Sequence, residues 1–324
     1  MSKLFEKYNK HQVFDLFAEN LELIKQHPEI TLKGKKTIGY VCPVCNKIFD
    51  KEAFSTEYID HLTLEHVPPG ALGGNIKILT CRICNNEQGS KLEKDLVESL
   101  KSSDFYSRIP GTSRPARFLV DGKWNTGGKI INMESGGFQL LASKKSSNHK
   151  HYDKLFKGGG MNVKKFDVTI YNQYKKRRPG ISLLRIAYLW LYSEFGYASL
   201  INPNMHTVRN QILEPEKDIL NHVGSLSYDF TDEFEGVNIL RKQKELRSFA
   251  VAFKTKTEHK ERRHLVLLPG PSDPGLQIYD TLKEMSRQQK KIDIQITHLN
   301  LDGIITDPNL VFEYHDIWQW LTKS

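Results

Sequence analysis

The sequence predicts an α+β fold, with an N-terminal helix, a small module that contains two Cys-x-x-Cys pairs and a mixed α+β C-terminal domain. Apolar residues recur at helical spacing in residues 4–27, and two short β-type runs flank a Pro/Gly loop between residues 61 and 80. Beyond residue 116, strand-like and helix-like runs are mixed. Ile109–Pro115 is rich in Pro, Gly and Ser and is the predicted boundary. The division is therefore 1–35, 36–108 and 116–324.

In residues 1–108 the sequence predicts an N-terminal helix, three strands and a second helix. Pro28 is expected to end the first helix, which should pack against the module. Thr37–Val41 is a predicted strand, and His61–Glu65 and Asn75–Thr80 form a further strand pair. A helix is predicted from Asn85 onward, with these residues on one face: Leu92, Leu96, Val97 and Leu100.

The C-terminal domain is predicted to contain several short strands and three helical segments. The predicted strands are Ala116–Val120, Lys129–Asn132, Phe138–Ala142, Phe166–Tyr171, Phe249–Phe253, His264–Leu268 and Ile292–Leu299. The predicted helices are Ile181–Phe195, apolar on most faces and so buried, Val208–Val223, which Pro215 should break, and Ile278–Ser286. Ser143–Lys150 is polar and is expected to be an exposed hairpin tip.

Composition and charge limit the class of protein. The 324 residues are 39% hydrophobic, and apolar runs are too short to span a bilayer. The N-terminus has no apolar signal core, so we expect a cytoplasmic protein without a membrane partner. The net charge is +9, with a balance of −1 over residues 1–100 and +10 over residues 101–324. A polyanionic partner would therefore be attracted mainly by the C-terminal part, although basic residues can also simply solvate a surface.

All four cysteines lie in two Cys-x-x-Cys pairs, Cys42/Cys45 and Cys81/Cys84. In a secreted protein they could form two disulfides, but without an export signal this spacing favours one tetrahedral Zn²⁺. Four thiolates close the coordination sphere, so the predicted zinc is structural. The remaining alternative is four reduced, buried cysteines.

Three residues beside the cysteines could carry chemistry. His66 at a strand end could take a proton from water near neutral pH. Glu65 and Asn85 offer oxygen ligands of the kind that Mg²⁺ or Mn²⁺ prefers. A base, a hard-metal site and a basic surface together suit phosphodiester hydrolysis.

These residues also carry a family resemblance, over about residues 38–100. Glu65-His66-Val67-x-Pro69, Gly73-Gly74-Asn75 and Cys81-x-x-Cys84-Asn85, with Gly89 and Lys91 after it, resemble the HNH endonucleases, in the variant with two Cys-x-x-Cys pairs. The resemblance implies a ββα-metal nuclease module acting on DNA and leaving a 5′-phosphate. It implies that His66 is the general base, that Glu65 and Asn85 hold the catalytic ion, and that Asn75 orients the His66 loop. The family more often has Asp at the position of Glu65. Restriction or phage defence is a further implication of the resemblance.

Several alternatives remain open. Asp60-His61 is a second acid–histidine pair, and Asn86 could replace Asn85 as a ligand. Lys91 is a candidate phosphate contact, or a solvated helix lysine. The densest basic run is a candidate nucleic-acid contact or a solvated loop: Lys175, Lys176, Arg177 and Arg178. The chain could also be a zinc-stabilised nucleic-acid-binding protein without catalysis, or an RNA-directed nuclease, and its C-terminal domain could bind a protein partner.

Overall fold

A computed structural model describes residues 8–26, 39–156, 165–226, 228–288, 293–299 and 304–307, without the side chains of residues 87, 88, 146 and 154–156. The helices are α1 Lys10–Lys25, α2 Ser90–Tyr106, α3 His149–Phe156, α4 Arg178–Phe195, α5 Ala198–Ile201, α6 Pro203–Leu213 and α7 Gln277–Arg287. The first six strands are β1 Tyr40–Val41, β2 Ile48–Phe49, β3 Leu62–Val67, β4 Ile76–Cys81, β5 Ser113–Val120 and β6 Trp124–Asn132. The other six are β7 Phe138–Ala142, β8 Phe166–Ile170, β9 Gly236–Leu240, β10 Ser248–Lys256, β11 Glu261–Leu268 and β12 Ile296–His298.

The chain forms two compact units. Unit 1 contains residues 1–96, 175–256 and 261–324, and unit 2 contains residues 97–174 and 257–260. The division falls inside α2. The linear division at Ile109–Pro115 stays a prediction, although β5 already begins at Ser113 within that segment.

Helix α1 begins with a capping box and packs on the module. The side chain of Asn9 accepts hydrogen bonds from the backbone amides of His11 and Gln12, and the Gln12 side chain accepts one from the Asn9 amide. This pair satisfies amides that have no partner inside the helix. On the buried face, the ring of Phe17 stacks on Tyr192 of α4 at 4.6 Å between centroids. The predicted packing of this helix against the module is confirmed, because α1 contacts β1 and β4.

Helix α4 is the buried centre of unit 1. It packs against the β3–β4 pair and against the strands β9, β10 and β11. Trp190 stacks on Phe253 of β10, and Tyr188 donates a 2.7 Å hydrogen bond to the carbonyl of Pro43. A helix buried on all sides has no polar stripe. The sequence prediction of a buried helix over Ile181–Phe195 is confirmed, and the structure extends it to Arg178.

Each unit has its own four-stranded antiparallel sheet. In unit 1 the strand order is β11-β10-β9-β12, and in unit 2 it is β7-β6-β5-β8. On the inner face of the unit 2 sheet, buried residues of β5 and β6 pack against Phe105 of α2. The sheet residues of this cluster are Ala116, Phe118 and Ile130. Helices combined with antiparallel sheets confirm the predicted α+β class.

Some sequence expectations were wrong in detail. Ser143–Lys150 is not a hairpin tip but the connection from β7 into α3, whose first residue is His149. The segment predicted as partly helical over Val208–Val223 contains the end of α6, which starts earlier, at Pro203. This helix ends at Leu213, before the Pro215 that was expected to break it. Pro28, residues 4–7, Thr37, Ile38 and Ile292 lie outside the described residues. Among the described helices, none is long and apolar enough to cross a membrane.

Candidate metal centre and active site

The four cysteines form one cluster. All four sulfurs lie within 4.8 Å of one another, and the Sγ atoms of Cys45 and Cys81 are 3.7 Å apart. A tetrahedral ion that holds sulfur at about 2.3 Å keeps its sulfurs about 3.8 Å apart, whereas a disulfide needs about 2.05 Å. The cysteines are therefore free thiols at the spacing of a structural metal site such as zinc.

Two short elements present these thiols. Cys42 and Cys45 lie in the turn between β1 and β2, where the amide of Asn46 bonds to the carbonyl of Cys42 at 2.9 Å. Cys81 ends β4, and Cys84 lies in the π-helical segment Ile83–Gly89. The Tyr40 hydroxyl donates a 2.5 Å bond to the Leu79 carbonyl, which ties the first turn to β4.

The closeness of the four sulfurs shifts the pKa values of the thiols. Hydrogen bonds from neighbouring thiols lower the pKa of Cys45, and the sulfurs of Cys42 and Cys45 raise the pKa values of Cys81 and Cys84. Thiolates this close repel one another, so full ionisation requires a bound cation. The donor set fits a structural metal such as zinc, which these four residues would hold: Cys42, Cys45, Cys81 and Cys84.

Strands β3 and β4 place the acid–histidine pair on opposite faces of a two-stranded ribbon. Glu65 is opposite Ile78 and is buried, whereas His66 is opposite Lys77 and is exposed. This separation follows from the two-residue period of a strand. The loop after β3 brings the backbone of Gly74 close to that of Pro68. A Cβ at Gly74 would lie 1.6 Å from the Pro68 carbonyl oxygen, so only glycine fits there.

The carboxylate of Glu65 is bound by an arginine. Nη1 and Nη2 of Arg185 donate to its two oxygens at 2.8 Å each, and the Thr80 hydroxyl donates to Oε2 at 2.7 Å. Arg185 also donates to the carbonyl of Cys84 at 3.0 Å. Burial raises the pKa of the Glu65 carboxyl, and the Arg185 charge and the Thr80 hydroxyl oppose this rise.

This pairing bears directly on the catalytic metal that the resemblance implies. A divalent ion at Glu65 needs an accessible oxygen lone pair, but a guanidinium already covers both oxygens and the residue is 5% exposed. As it lies here, Glu65 does not fit a Mg²⁺ or Mn²⁺ site. Its role as a metal ligand stays a prediction, and Arg185 would first have to leave the carboxylate.

His66 has the accessibility that a general base needs. Its side chain is exposed at the end of β3, and within the described part of the chain its imidazole has no hydrogen-bond partner. A Cβ built at Gly70 would lie 3.9 Å from the ring, so His66 lies beside the turn that follows β3. An uncommitted imidazole in water can accept a proton from an attacking water molecule.

Asn85 ties the π-helical segment to β3. Its Nδ2 donates to the Thr63 hydroxyl at 3.0 Å and to the Leu64 carbonyl at 3.1 Å. Its amide oxygen takes part in neither bond, so this atom fits the predicted ligand role better than Glu65 does. Asn75 is exposed immediately before β4, and Asn86, the alternative ligand, is exposed one residue beyond Asn85.

The second acid–histidine pair, Asp60-His61, is engaged in bonds within the protein. Asp60 bonds to Lys47 at 2.7 Å and accepts the amide of Ile83 at 3.1 Å, so it links the two cysteine turns. Burial raises the pKa of Asp60, whereas the bonds to Lys47 and Ile83 lower it. The net effect is a pKa below the usual value of an aspartate. The ring of His61 bonds to the Tyr58 carbonyl at 3.0 Å.

The predicted basic run is largely paired within the protein. Lys175 bonds to Glu216 at 3.0 Å, and Arg178 bonds to the same carboxylate at 2.7 Å through Nε. Arg177 pairs with Asp218 and donates to the Leu220 carbonyl at 2.8 Å. Lys176 is exposed. Three of these side chains therefore anchor the start of α4, which disfavours the predicted phosphate contacts. Lys91 is exposed on α2, and its predicted role is open.

Arg185 is the residue that sequence reasoning missed. The sequence does contain a signal for a buried charge pair, because a single arginine lies inside the apolar run Ile181–Leu191. A guanidinium in a fully buried helix requires an anionic partner. The sequence does not say which of the many carboxylates is that partner.

Comparison with known proteins adds no further assignment. No protein-family model matches this sequence, and no similar curated protein or solved structure was found.

Proposed function

We propose that this protein is a nuclease of the HNH type, with His66 as the general base that activates water for attack on a phosphodiester. The exposed imidazole at the end of β3, in a β3–β4 ribbon joined to a four-cysteine cluster, is the observation that carries the proposal. Asn85 supports it, because its side chain bonds to β3 of the same ribbon and its amide oxygen is not used in those two bonds. Zinc in the cysteine cluster would hold the ribbon and the following helix together.

The proposed chemistry rests on His66 without a step through a divalent ion. His66 would take the proton of the attacking water as the water oxygen bonds to phosphorus. The bond from phosphorus to the 3′ oxygen would break, and the leaving 3′ oxygen would take a proton from solvent. The excess of basic residues would attract the phosphate chain. The Arg185 guanidinium covers the Glu65 oxygens. Cleavage rates measured with and without Mg²⁺ or Mn²⁺ therefore decide whether a divalent ion takes part.

A cleavage assay tests the proposal. Supercoiled DNA, single-stranded DNA and RNA are incubated with the whole chain and either Mg²⁺, Mn²⁺ or no added ion. We expect nicking that His66→Ala abolishes and that His61→Ala, the matched change in the neighbouring acid–histidine pair, leaves intact. Cleavage of RNA alone would make the protein an RNA-directed nuclease. If His66→Ala cuts as fast as the unaltered chain, His66 is not the base.

The Glu65–Arg185 pair favours one second candidate, a zinc-stabilised nucleic-acid-binding protein without catalysis. A carboxylate whose two oxygens are already held by a guanidinium leaves no exchangeable coordination site for a divalent ion. Salt-sensitive binding to DNA with no cleavage under any of the three metal conditions would support this candidate over the nuclease.

The biological setting follows only from the resemblance. If the nuclease is confirmed, we propose restriction or phage defence as its setting, with DNA as substrate and a protein partner bound through the C-terminal domain. Phage titres on host cells that carry the unaltered chain or the His66→Ala variant would test this role.

A further inference from the structure

The surplus positive charge of the chain is concentrated in unit 2. Its residues 97–174 and 257–260 hold 14 Lys/Arg and 7 Asp/Glu, a balance of +7 out of +9 for the whole chain. Unit 1, which contains the candidate active site, therefore carries only +2. A polyanion should be drawn mainly to unit 2.

One face of the unit 2 sheet has the composition of a binding platform. The ladder register aligns side chains of four strands on the face opposite the buried cluster. Lys129 lies between Pro115 of β5 and Leu141 of β7, and Arg117 lies between Thr169 of β8 and Gly127 of β6. Because register partners share a face, Lys129 and Arg117 are diagonal neighbours on the same surface. Both are exposed.

The cations on this face are available to a ligand. Among the described residues, neither Arg117 nor Lys129 has a carboxylate partner, in contrast to the paired run at the start of α4. Asp167, the acidic residue at this face in the ladder, is paired with Lys165 at 3.3 Å. The face thus presents uncompensated positive charge.

An aromatic ring lies beside Arg117 and in the same cross-strand row as Lys129. Tyr171 is 44% exposed just after β8, and the Arg117 guanidinium lies 5.9 Å from its ring centroid. Its amide bonds to the Pro115 carbonyl at 3.3 Å, which fixes Tyr171 beside the row that contains Lys129. Exposed aromatic rings beside Arg and Lys on a flat surface suit bases that stack while their phosphates meet the cations.

From these observations we propose that the outer face of the unit 2 sheet, defined by Arg117, Lys129, Thr169, Tyr171 and Leu141, binds single-stranded nucleic acid. A four-stranded sheet is too broad for the major groove of duplex DNA, about 12 Å wide, which admits a helix or a two-stranded ribbon. A single strand can instead lie across the sheet with exposed bases. The inference deepens the proposed function and rests on it for the choice of nucleic acid over other polyanions.

The test measures the binding of fluorescent 20-nucleotide DNA and RNA to the full chain by anisotropy, without added divalent ion. Arg117→Glu/Lys129→Glu is compared with Lys244→Glu/Lys283→Glu, which changes the net charge equally in unit 1. We expect at least tenfold weaker binding for the first pair and less than a twofold change for the control. The neutral pair Arg117→Gln/Lys129→Gln should make log affinity fall less steeply with log salt, by about 1.4 in the magnitude of the slope. Each phosphate contact on a single strand contributes about 0.7 to this slope. This pair also replaces the charge reversal if that variant does not fold.

A second pair of variants separates stacking from charge. Tyr171→Ala should weaken binding by about tenfold, whereas Tyr171→Phe, which keeps the ring, should stay within twofold. The inference is overturned if the two charge-reversal variants bind alike, if duplex binds as tightly as single strand, or if the chain binds anionic vesicles but no oligonucleotide. A chain that binds in this way but never cleaves refutes only the proposed function. A chain that cleaves with unaltered binding in these variants refutes only this inference.

Discussion

The guanidinium of Arg185 and the carboxylate of Glu65 face each other through two parallel hydrogen bonds of 2.8 Å, at 3% and 5% exposure. This buried pair joins the central helix α4 to strand β3 beside the cysteine cluster. It fixes the acid of the acid–histidine pair on the inner face of the ribbon and leaves the histidine outside.

We predict that Arg185→Met destabilises the protein by about 3–5 kcal/mol, because it leaves a carboxylate buried without its charge partner. The double variant Glu65→Gln/Arg185→Met should recover much of this loss, since it removes both charges. Urea unfolding measures both values, with Lys244→Met as a surface control expected to stay within about 0.5 kcal/mol. A cost below about 1 kcal/mol for Arg185→Met would show that the pair is not formed as described.

The cysteine cluster should hold one zinc ion per chain. Protein purified without added metal is expected to contain zinc in a one-to-one ratio by elemental analysis. Cys45→Ser should lower this content and the midpoint of thermal unfolding, because the ion joins two turns that are far apart in sequence. His66→Ala serves as the control and should retain its zinc. Metal-free protein with four titratable thiols and unchanged stability would instead indicate reduced, unliganded cysteines.

The basic run at the start of α4 gives a prediction that separates structure from binding. Arg177→Ala should cost about 1–3 kcal/mol, because the Gln211 side chain and the Leu220 carbonyl lose a charged donor at 2.9 and 2.8 Å. Lys176→Ala should change neither stability nor nucleic-acid affinity. If Lys176→Ala weakens oligonucleotide binding while stability is unchanged, the run contacts the nucleic acid after all.

Acid should destabilise unit 1 through His264. Burial, together with the charge of Arg262, lowers the pKa of His264 to about 4. Its ring bonds to the hydroxyls of Thr255 at 2.8 Å and Ser225 at 3.2 Å. Because the folded-state pKa lies below the unfolded value of about 6.5, the unfolded state binds the proton first, and stability falls as pH decreases from about 6.5 to 4.

At about 1.4 kcal/mol per pKa unit, this loss amounts to roughly 3 kcal/mol at pH 4. Unfolding free energies of the unaltered chain and of His264→Gln, measured between pH 4 and 7, provide the comparison. The variant is expected to show a shallower slope over this range. Equal slopes would mean that His264 does not control this part of the acid response.

The sequence predicted well what depends on spacing and local pattern. The two cysteine pairs pointed to one cluster, and the apolar run of α4 pointed to a buried helix. The alternation of apolar and polar residues did not predict β9, because all five residues of Gly236–Leu240 are buried. It also gave no link between Glu65 and Arg185, which are 120 residues apart. Charge counts showed a surplus beyond residue 100, but only the fold shows that most of it lies in unit 2.

The central claim is that His66 activates water for phosphodiester cleavage, and its most direct measurement is the nicking rate of His66→Ala beside His61→Ala. Both variants should keep their zinc and their unfolding midpoint, so that a change in rate reports on chemistry. The account predicts a rate at least a hundredfold lower for His66→Ala, the lower bound for a lost general base, and an unchanged rate for His61→Ala. Equal rates for His66→Ala and the unaltered chain would contradict it.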